Sequence, residues 1–374
     1  MSFFTRHPYY KNLLKFAGFI FVGYHTLMLC LLAPLFFLII LAIGLAASTP
    51  PAPSQGGALT SLTPVYGDGL NQLLSIKVEG IIAGETEADT FFGSLGGLSS
   101  GYAIKDQLIA AADSPDIKGV ILEINSPGGT IYGSHAIADG VEYYRTQTKK
   151  PVYAFISGMG DSGAYWAAAS TDKILADYGS DTGSIGVIMG PFEYYNKVIA
   201  TDGGLLGGGV ITQNGVEQTY ITAGRSKDIG NPYRRLTGDE VALLQRQVNN
   251  EYENFVAYVA SRRQITADTI KNQIGALSYD NKTAKDLKLI DATANRDDAY
   301  SLLAEAAQVG ADYTVVRSDN STGFITSLLG AIKHGRWPQA AAQPSQSDIS
   351  ARTCALTKTM LAYHGDVAEL CPTQ

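Results

Sequence analysis

The chain has 374 residues, enough for about two globular units at roughly 150 residues each. Its 28 basic and 35 acidic residues make up 17% of the sequence, against about 25% in a typical soluble domain, and none of them falls between Lys15 and Asp68. The net charge of −7 and the lack of basic clusters interleaved with aromatics exclude a nucleic-acid surface, while five scattered histidines and three cysteines without zinc spacing argue against a metal centre.

The first element is apolar. Leu27–Ala46 is broken only by Gly44 and Pro34, and twenty residues at about 1.5 Å each span roughly 30 Å, the thickness of a bilayer's hydrocarbon core. Arg6, Lys11 and Lys15 precede it and no charge follows until Asp68, so the positive-inside rule predicts a cytoplasmic N-terminus and an exported remainder. A cleaved leader has an apolar stretch of about 7–15 residues. Here the run extends from Phe16 to Ala47 with Tyr24, His25 and Thr26 as the interruptions, which predicts an uncleaved signal anchor over residues 1–47. Cleavage after Ala47 is the alternative.

Residues 48–69, with Pro50, Pro51, Pro53, Gly56 and Gly57, read as an extended linker. A globular domain is expected over 70–317. Its predicted elements are a strand at Leu73–Ile82, a helix at Tyr102–Ala112, a buried strand at Gly119–Ile124 and a helix at Ser134–Thr148. A strand at Pro151–Ile156, a helix from Gly163 and a strand at Lys173–Ala176 follow. This alternation indicates an α/β unit with parallel pairing. Thr237-Gly238-Asp239-Glu240 is a capping box ahead of a helix to Arg263. Shorter helices are expected at Thr283–Asp286 and Asp297–Ala307. Residues 318–374 form an extension of unknown role containing Cys354 and Cys371. Export would permit a disulfide there, worth about 3 kcal/mol by chain entropy, although spacing alone says nothing of geometry.

Two loops after consecutive strands carry chemistry. Asn125-Ser126-Pro127-Gly128-Gly129 leaves backbone N–H groups free at a strand-to-helix junction, suited to an oxyanion; a tight turn is the ordinary alternative. Gly160-Asp161-Ser162-Gly163-Ala164 sets a serine among small residues at a helix start, as a nucleophile or simply as an N-cap. The string overlaps both the Gly-Asp-Ser-Gly of trypsin-like enzymes and the elbow of α/β-hydrolases, but both need a histidine. No histidine lies between His135 and His334, and His135 reads as exposed on its helix. Another base must therefore serve Ser162. A lysine can do so if burial brings its pKa from about 10.4 toward neutrality, at a cost of roughly 4 kcal/mol.

The succession KGVILEINSPGG (118–129), PVYA (151–154), DSGAYWA (161–167), TGSIGV (182–187) and GRSKD (224–228) resembles signal peptide peptidase A, a family of membrane-bound Ser–Lys proteases with the Clp/crotonase fold. The likeness runs from Leu73 to Val315. It implies a fold of repeated β-β-α units, Ser162 as nucleophile, Lys227 as general base, Ser184 as the residue that orients the lysine, and the Gly129 and Gly163 N–H groups as the oxyanion hole. Ala164 stands where the family usually has a second glycine, which tightens the pocket floor. Lys173 and Lys197 are rival bases, and Lys227 on a solvated surface beside Asp228 is the structural alternative. The Gly203–Gly209 loop is longer than the family's. Because single-domain members share each site between neighbouring subunits, the resemblance implies a ring-shaped homo-oligomer. It further implies apolar, signal-peptide-like substrates, contact with membrane lipid, no cofactor and no metal. A catalytically silent membrane-tethered scaffold and a crotonase-fold acyl-CoA enzyme are the alternatives; both dyad residues being present speaks against the first, and the anchor against the second.

Overall fold

The computed structural model describes residues 59, 62–84, 97–192, 194–195, 220–318 and 361–365. The anchor, most of the linker, Lys197, the Gly203–Gly209 loop, Cys354 and Cys371 lie outside them. Among the described residues no helix is long and apolar enough to cross a membrane.

Continuous apolar runs produce the central strands. β1 (Leu62–Gly67), β2 (Asn71–Glu79), β5 (Ile117–Ser126), β7 (Val152–Asp161), β8 (Lys173–Ala176), β11 (Ala292–Thr293) and β12 (Tyr313–Ser318) form one sheet in the order β1-β12-β2-β5-β7-β8-β11. Every neighbouring pair is parallel except β1 with β12. A parallel sheet of this kind is covered on both faces, and the strands' period of two divides their side chains accordingly. Leu74, Ile76, Val120, Leu122, Ala154 and Ile156 face one core, while Leu73, Ile121, Tyr153 and Phe155 face the other.

Helices α1 (Gly101–Ala112), α2 (Ile131–Thr148), α3 (Gly163–Ala169) and the long α4 (Gly238–Arg263) cover the first face. Trp166 of α3 stacks on Phe255 of α4 with ring centroids 4.6 Å apart. The short α5 (Asn281–Asp286) follows, and α6 (Arg296–Ala306) covers the second face through Tyr300 and Leu303. Glu123 points into that second layer. It is neutralised by Arg317 at 3.1 Å and accepts hydrogen bonds from Tyr300 at 2.6 Å and Ser75 at 2.7 Å, which ties β12 to β2 and β5.

A smaller sheet, β13-β6-β3-β4, stands at the carboxyl ends of the parallel strands. It comprises β3 (Ile81–Ala83), β4 (Leu98–Ser100), β6 (Gly128–Thr130) and β13 (Leu361–Tyr363). Strand, short strand, helix recurs as β2-β3-β4-α1 and β5-β6-α2, the β-β-α pattern anticipated from sequence. Finally β9 (Asp181–Gly183) pairs in parallel with the last three residues of β7 and antiparallel with β10 (Ser278–Asp280). Ligands of α/β sheets gather at such carboxyl ends.

Three expectations need correcting. The strand read as Leu73–Ile82 is two, because Gly80 turns the chain at φ +70° and sends β3 into the second sheet. Residues 62–67, assigned to the linker 48–69, form β1; Leu62 to Gly67 run along β12 from Ser318 to Thr314, a long-range pairing that local composition does not reveal. The extension 318–374 is likewise not wholly separate from the domain 70–317, since it supplies β13.

Candidate active site

Three consecutive parallel strands, β2, β5 and β7, end at one place and deliver its parts. β5 runs into Pro127-Gly128-Gly129. Gly128 has φ +94°, and a methyl group on it would come within 2.2 Å of the Ala362 carbonyl oxygen and 2.7 Å of the Gly163 nitrogen. On Gly129 a methyl would lie 2.0 Å from the Ile82 carbonyl oxygen. Glycine is required here by close approach as well as by backbone angle.

β7 ends at Asp161, and Ser162 follows at φ 54°, ψ −117°, a conformation that L-residues rarely adopt and that costs about 1–3 kcal/mol. Neighbouring structure fixes it. The Ser162 N–H donates to the Gly183 carbonyl at 2.9 Å, and the Trp166 N–H donates to the Ser162 carbonyl at 2.9 Å, opening α3. The hydroxyl makes no N-cap bond to its own helix, and its one hydrogen bond among the described residues is to the Gly186 carbonyl at 3.5 Å. The side chain is therefore not spent on capping. Gly163 is hemmed in: a methyl there would meet Ser134 Oγ at 2.3 Å, the Ala362 carbonyl oxygen at 2.9 Å and the Gly129 nitrogen at 3.2 Å. Gly129 and Gly163 thus converge on one point beside Ser162, as an oxyanion hole requires. Ala164 is fully buried.

The pairing of β9 with β7 sets Ser184 next to this point, at φ 49° and with its N–H on the Leu277 carbonyl at 2.7 Å. Its hydroxyl lies 3.0 Å from His364 Nδ1. Asp161 is fully buried and its carboxylate accepts one bifurcated hydrogen bond from the Ser278 hydroxyl, whose Oγ lies 2.7 and 2.8 Å from the two oxygens, with His364 Nε2 4.0 Å away. Burial pushes the Asp161 carboxyl above its ordinary pKa, and the Ser278 hydroxyl and His364 oppose that rise.

Lys227 is not brought to Ser162 within this one chain. It lies in the exposed turn Ile221–Leu236, and among the described residues its ammonium has no ion-pair or hydrogen-bond partner. Nor does Asp228 pair with it. Arg234 takes Asp228 at 2.7 Å and Glu240 at 2.9 Å, bracing the turn against the start of α4, where both arms of the Thr237/Glu240 capping box are made. The Arg234 guanidinium holds both carboxyls below their usual range. The rival Lys173 is exposed at the head of β8, with its ammonium over the Tyr153 ring. His135 is exposed on α2 and faces Asp139 at 3.3 Å.

Sequence reasoning missed Asp161, Ser278, His364 and Ile188. Asp161 stood next to Ser162 and was readable as a candidate; the other three reach the site through long-range pairings, Ser278 with Gly183, Ile188 with Leu361 and His364 with Pro127, across 95 to 237 positions, which no local pattern signals.

Comparison with known proteins agrees with this geometry. The profile of Peptidase family S49 matches residues 144–310, and that of Clp protease matches residues 98–175, which include the glycine loop and Ser162. Putative protease MJ0651 of Methanocaldococcus jannaschii is 37% identical over 194 residues, 52% of this chain and 57% of that protein. Putative signal peptide peptidase SppA of Enterococcus faecium is 29% identical over 293 residues, 78% and 80% of the two chains. Protease 4 of Haemophilus influenzae is 27% identical over 276 residues, 72% of this chain and 41% of its own. The match thus spans little more than half of the archaeal relative's length. Ordered motifs, a mixed α/β Clp protease-like fold and these relatives agree in making the chain similar to peptidase family S49 and, within it, to signal peptide peptidase A.

Proposed function

We propose that this chain is a membrane-anchored serine endopeptidase with a Ser162–Lys227 dyad shared between neighbouring copies in a ring. The observation that carries this reading is the convergence of Gly129 and Gly163 beside a strained Ser162 whose hydroxyl caps nothing. Lys227, exposed in one chain, becomes a base when a neighbouring copy inserts it against Ser184, where desolvation keeps its amine neutral. Neutral Lys227 takes the Ser162 proton as Oγ attacks a peptide carbonyl. The Gly129 and Gly163 N–H groups stabilise the tetrahedral oxyanion, and the lysine then protonates the leaving amine. Water releases the acyl group by the reverse route.

The charge-free segment from Phe16 to Gly67 supports a single-pass tether with the N-terminus in the cytoplasm and the catalytic domain on the exported side of the cytoplasmic membrane. Remnant signal peptides and other short or unfolded apolar segments would meet the site there. The test compares the wild-type chain, Ser162→Ala and Lys227→Ala on a fluorogenic apolar peptide. Wild type should be active and both variants inactive, with chelators having no effect. Equal activity in all three, or an inert wild type in assembled form, would exclude the dyad.

A further inference from the structure

Among the described residues two carboxylates are buried, Asp161 and Glu240. Glu240 lies against the Arg234 guanidinium at 2.9 Å. Asp161, next to the nucleophile, has no lysine or arginine within ion-pair distance among the described residues; it accepts the bifurcated bond of the Ser278 hydroxyl and faces His364 Nε2 at 4.0 Å. A buried negative charge with so little compensation is costly, and three strands are arranged to hold it. Asp161 of β7 and Ser278 of β10 both pair with Gly183 of β9, so the three residues stand in one rung, and the glycine between them leaves the Ser278 hydroxyl free to reach the carboxylate. Leu277, one residue before Ser278, accepts the Ser184 N–H at 2.7 Å. The same two-residue segment therefore fixes both Asp161 and Ser184. Between these two sits the His364 ring, with Nδ1 3.0 Å from Ser184 Oγ and Nε2 4.0 Å from Asp161. The gap is one imidazole wide, it already holds a basic side chain, and a hydroxyl and a carboxylate face each other across it. The like charge acting on Asp161 is that of Asp181, exposed on β9.

We propose that Asp161 is a positioning residue for the general base: with Ser184 Oγ it receives the amine of Lys227 from a neighbouring copy and stays ionised opposite it through the reaction. The proposal rests on the dyad reading above. A lysine ammonium is a compact charge with three donors and no acceptor, so a hydroxyl oxygen and a carboxylate oxygen on two sides of a narrow gap are the partners it needs. Desolvation alone makes the amine neutral but also a weak base, and a carboxylate opposite restores its basicity. As Ser162 Oγ attacks the peptide carbonyl, its proton passes to the amine, and the ammonium so formed faces the Asp161 charge. The proton then leaves on the departing amine nitrogen. Asp161 itself neither gains nor loses one. In one chain the acceptor pair is already built while Lys227 lies exposed on its turn, the division of parts that a shared site calls for.

The test is the pH–rate profile of the assembled full chain on the fluorogenic peptide, with native mass spectrometry confirming assembly of each variant. Asparagine keeps the shape of a neutral carboxyl and its bond to Ser278 but carries no charge. Asp161→Asn should therefore move the acid limb of kcat/KM to lower pH by about 1–3 units and lower kcat on the plateau several-fold, with KM little changed. Ser278→Ala leaves the carboxylate without its donor, so its charge acts more strongly on the ammonium and the limb should move the other way, to higher pH. This second variant decides the matter if Asp161→Asn does not assemble. An active wild type whose acid limb is unmoved in Asp161→Asn overturns the proposal and leaves the dyad reading standing. So does an assembled Asp161→Asn that is inert at every pH, or an unmoved limb in Ser278→Ala. If the assembled wild type is itself inert, the dyad reading falls and this proposal with it.

Discussion

Ser162 and Lys227 are held by very different means. The serine sits at the junction of β7 and α3, fully buried, with β9 bonded to its N–H, α4 stacked behind Trp166 and the glycine loop against its neighbour. The lysine sits on an exposed turn whose described side-chain anchors centre on one guanidinium, that of Arg234. A strained nucleophile persists only where surrounding structure over-determines it. A base supplied to a neighbour must instead remain accessible until assembly. Rigidity on one side and exposure on the other suit a site completed between chains.

The largest expected effect breaks the rigid half chemically. Ser162→Ala should lower peptide cleavage by at least about 10⁴-fold, with thermal stability unchanged or raised because backbone strain is not worsened, as calorimetry would register. Lys227→Ala should cost about 10²–10⁴-fold in kcat, as loss of a general base does, and leave the folding free energy within about 0.5 kcal/mol of wild type because the side chain is exposed. A large drop in Tm for this variant would mean that Lys227 is structural in the single chain.

Gly129→Ala separates the halves by stability instead. Its methyl group would lie 2.0 Å from the Ile82 carbonyl oxygen, so β6 must shift, at a cost of about 1–3 kcal/mol and with loss of activity. An alanine tolerated there with full activity would remove Gly129 from the oxyanion hole. Arg234→Ala should loosen the lysine turn without touching Ser162. Activity should fall several-fold, less than for Lys227→Ala, and limited proteolysis should nick the turn near Arg225 while the strands stay protected.

Acid produces a milder form of the same loosening. Asp228 and Glu240 have folded pKa values depressed by Arg234, so their contribution is fully present above the unfolded value near 4 and is lost as pH falls through the folded values. Protease accessibility of the turn should therefore be flat from neutral pH down to about 5 and rise only below about 4. A rise between pH 5 and 7 would point to another group.

What the sequence revealed follows the same division. Lys173–Ala176 is a strand to the residue, and the Thr237/Glu240 box starts its helix as read, because these depend on neighbours in the chain. β7 runs five residues past Ile156 because Met159–Asp161 pairs with β9, information that lies 22 positions away. β13 is three residues long and exists only through β6 and Ile188, so no periodicity could announce it. Ser162, Gly129 and Gly163 were legible as members of loops after buried strands. The contact of His364 with Ser184 was not, since the two are 180 positions apart.

The most direct test of a site shared between chains is complementation. Ser162→Ala and Lys227→Ala chains, each inactive alone, are mixed under conditions that exchange subunits, and cleavage of the fluorogenic peptide is measured alongside native mass spectrometry of the assemblies. Recovery of a substantial fraction of wild-type activity, rising with the proportion of mixed assemblies, is the predicted result. Assemblies demonstrably mixed yet inert would contradict it.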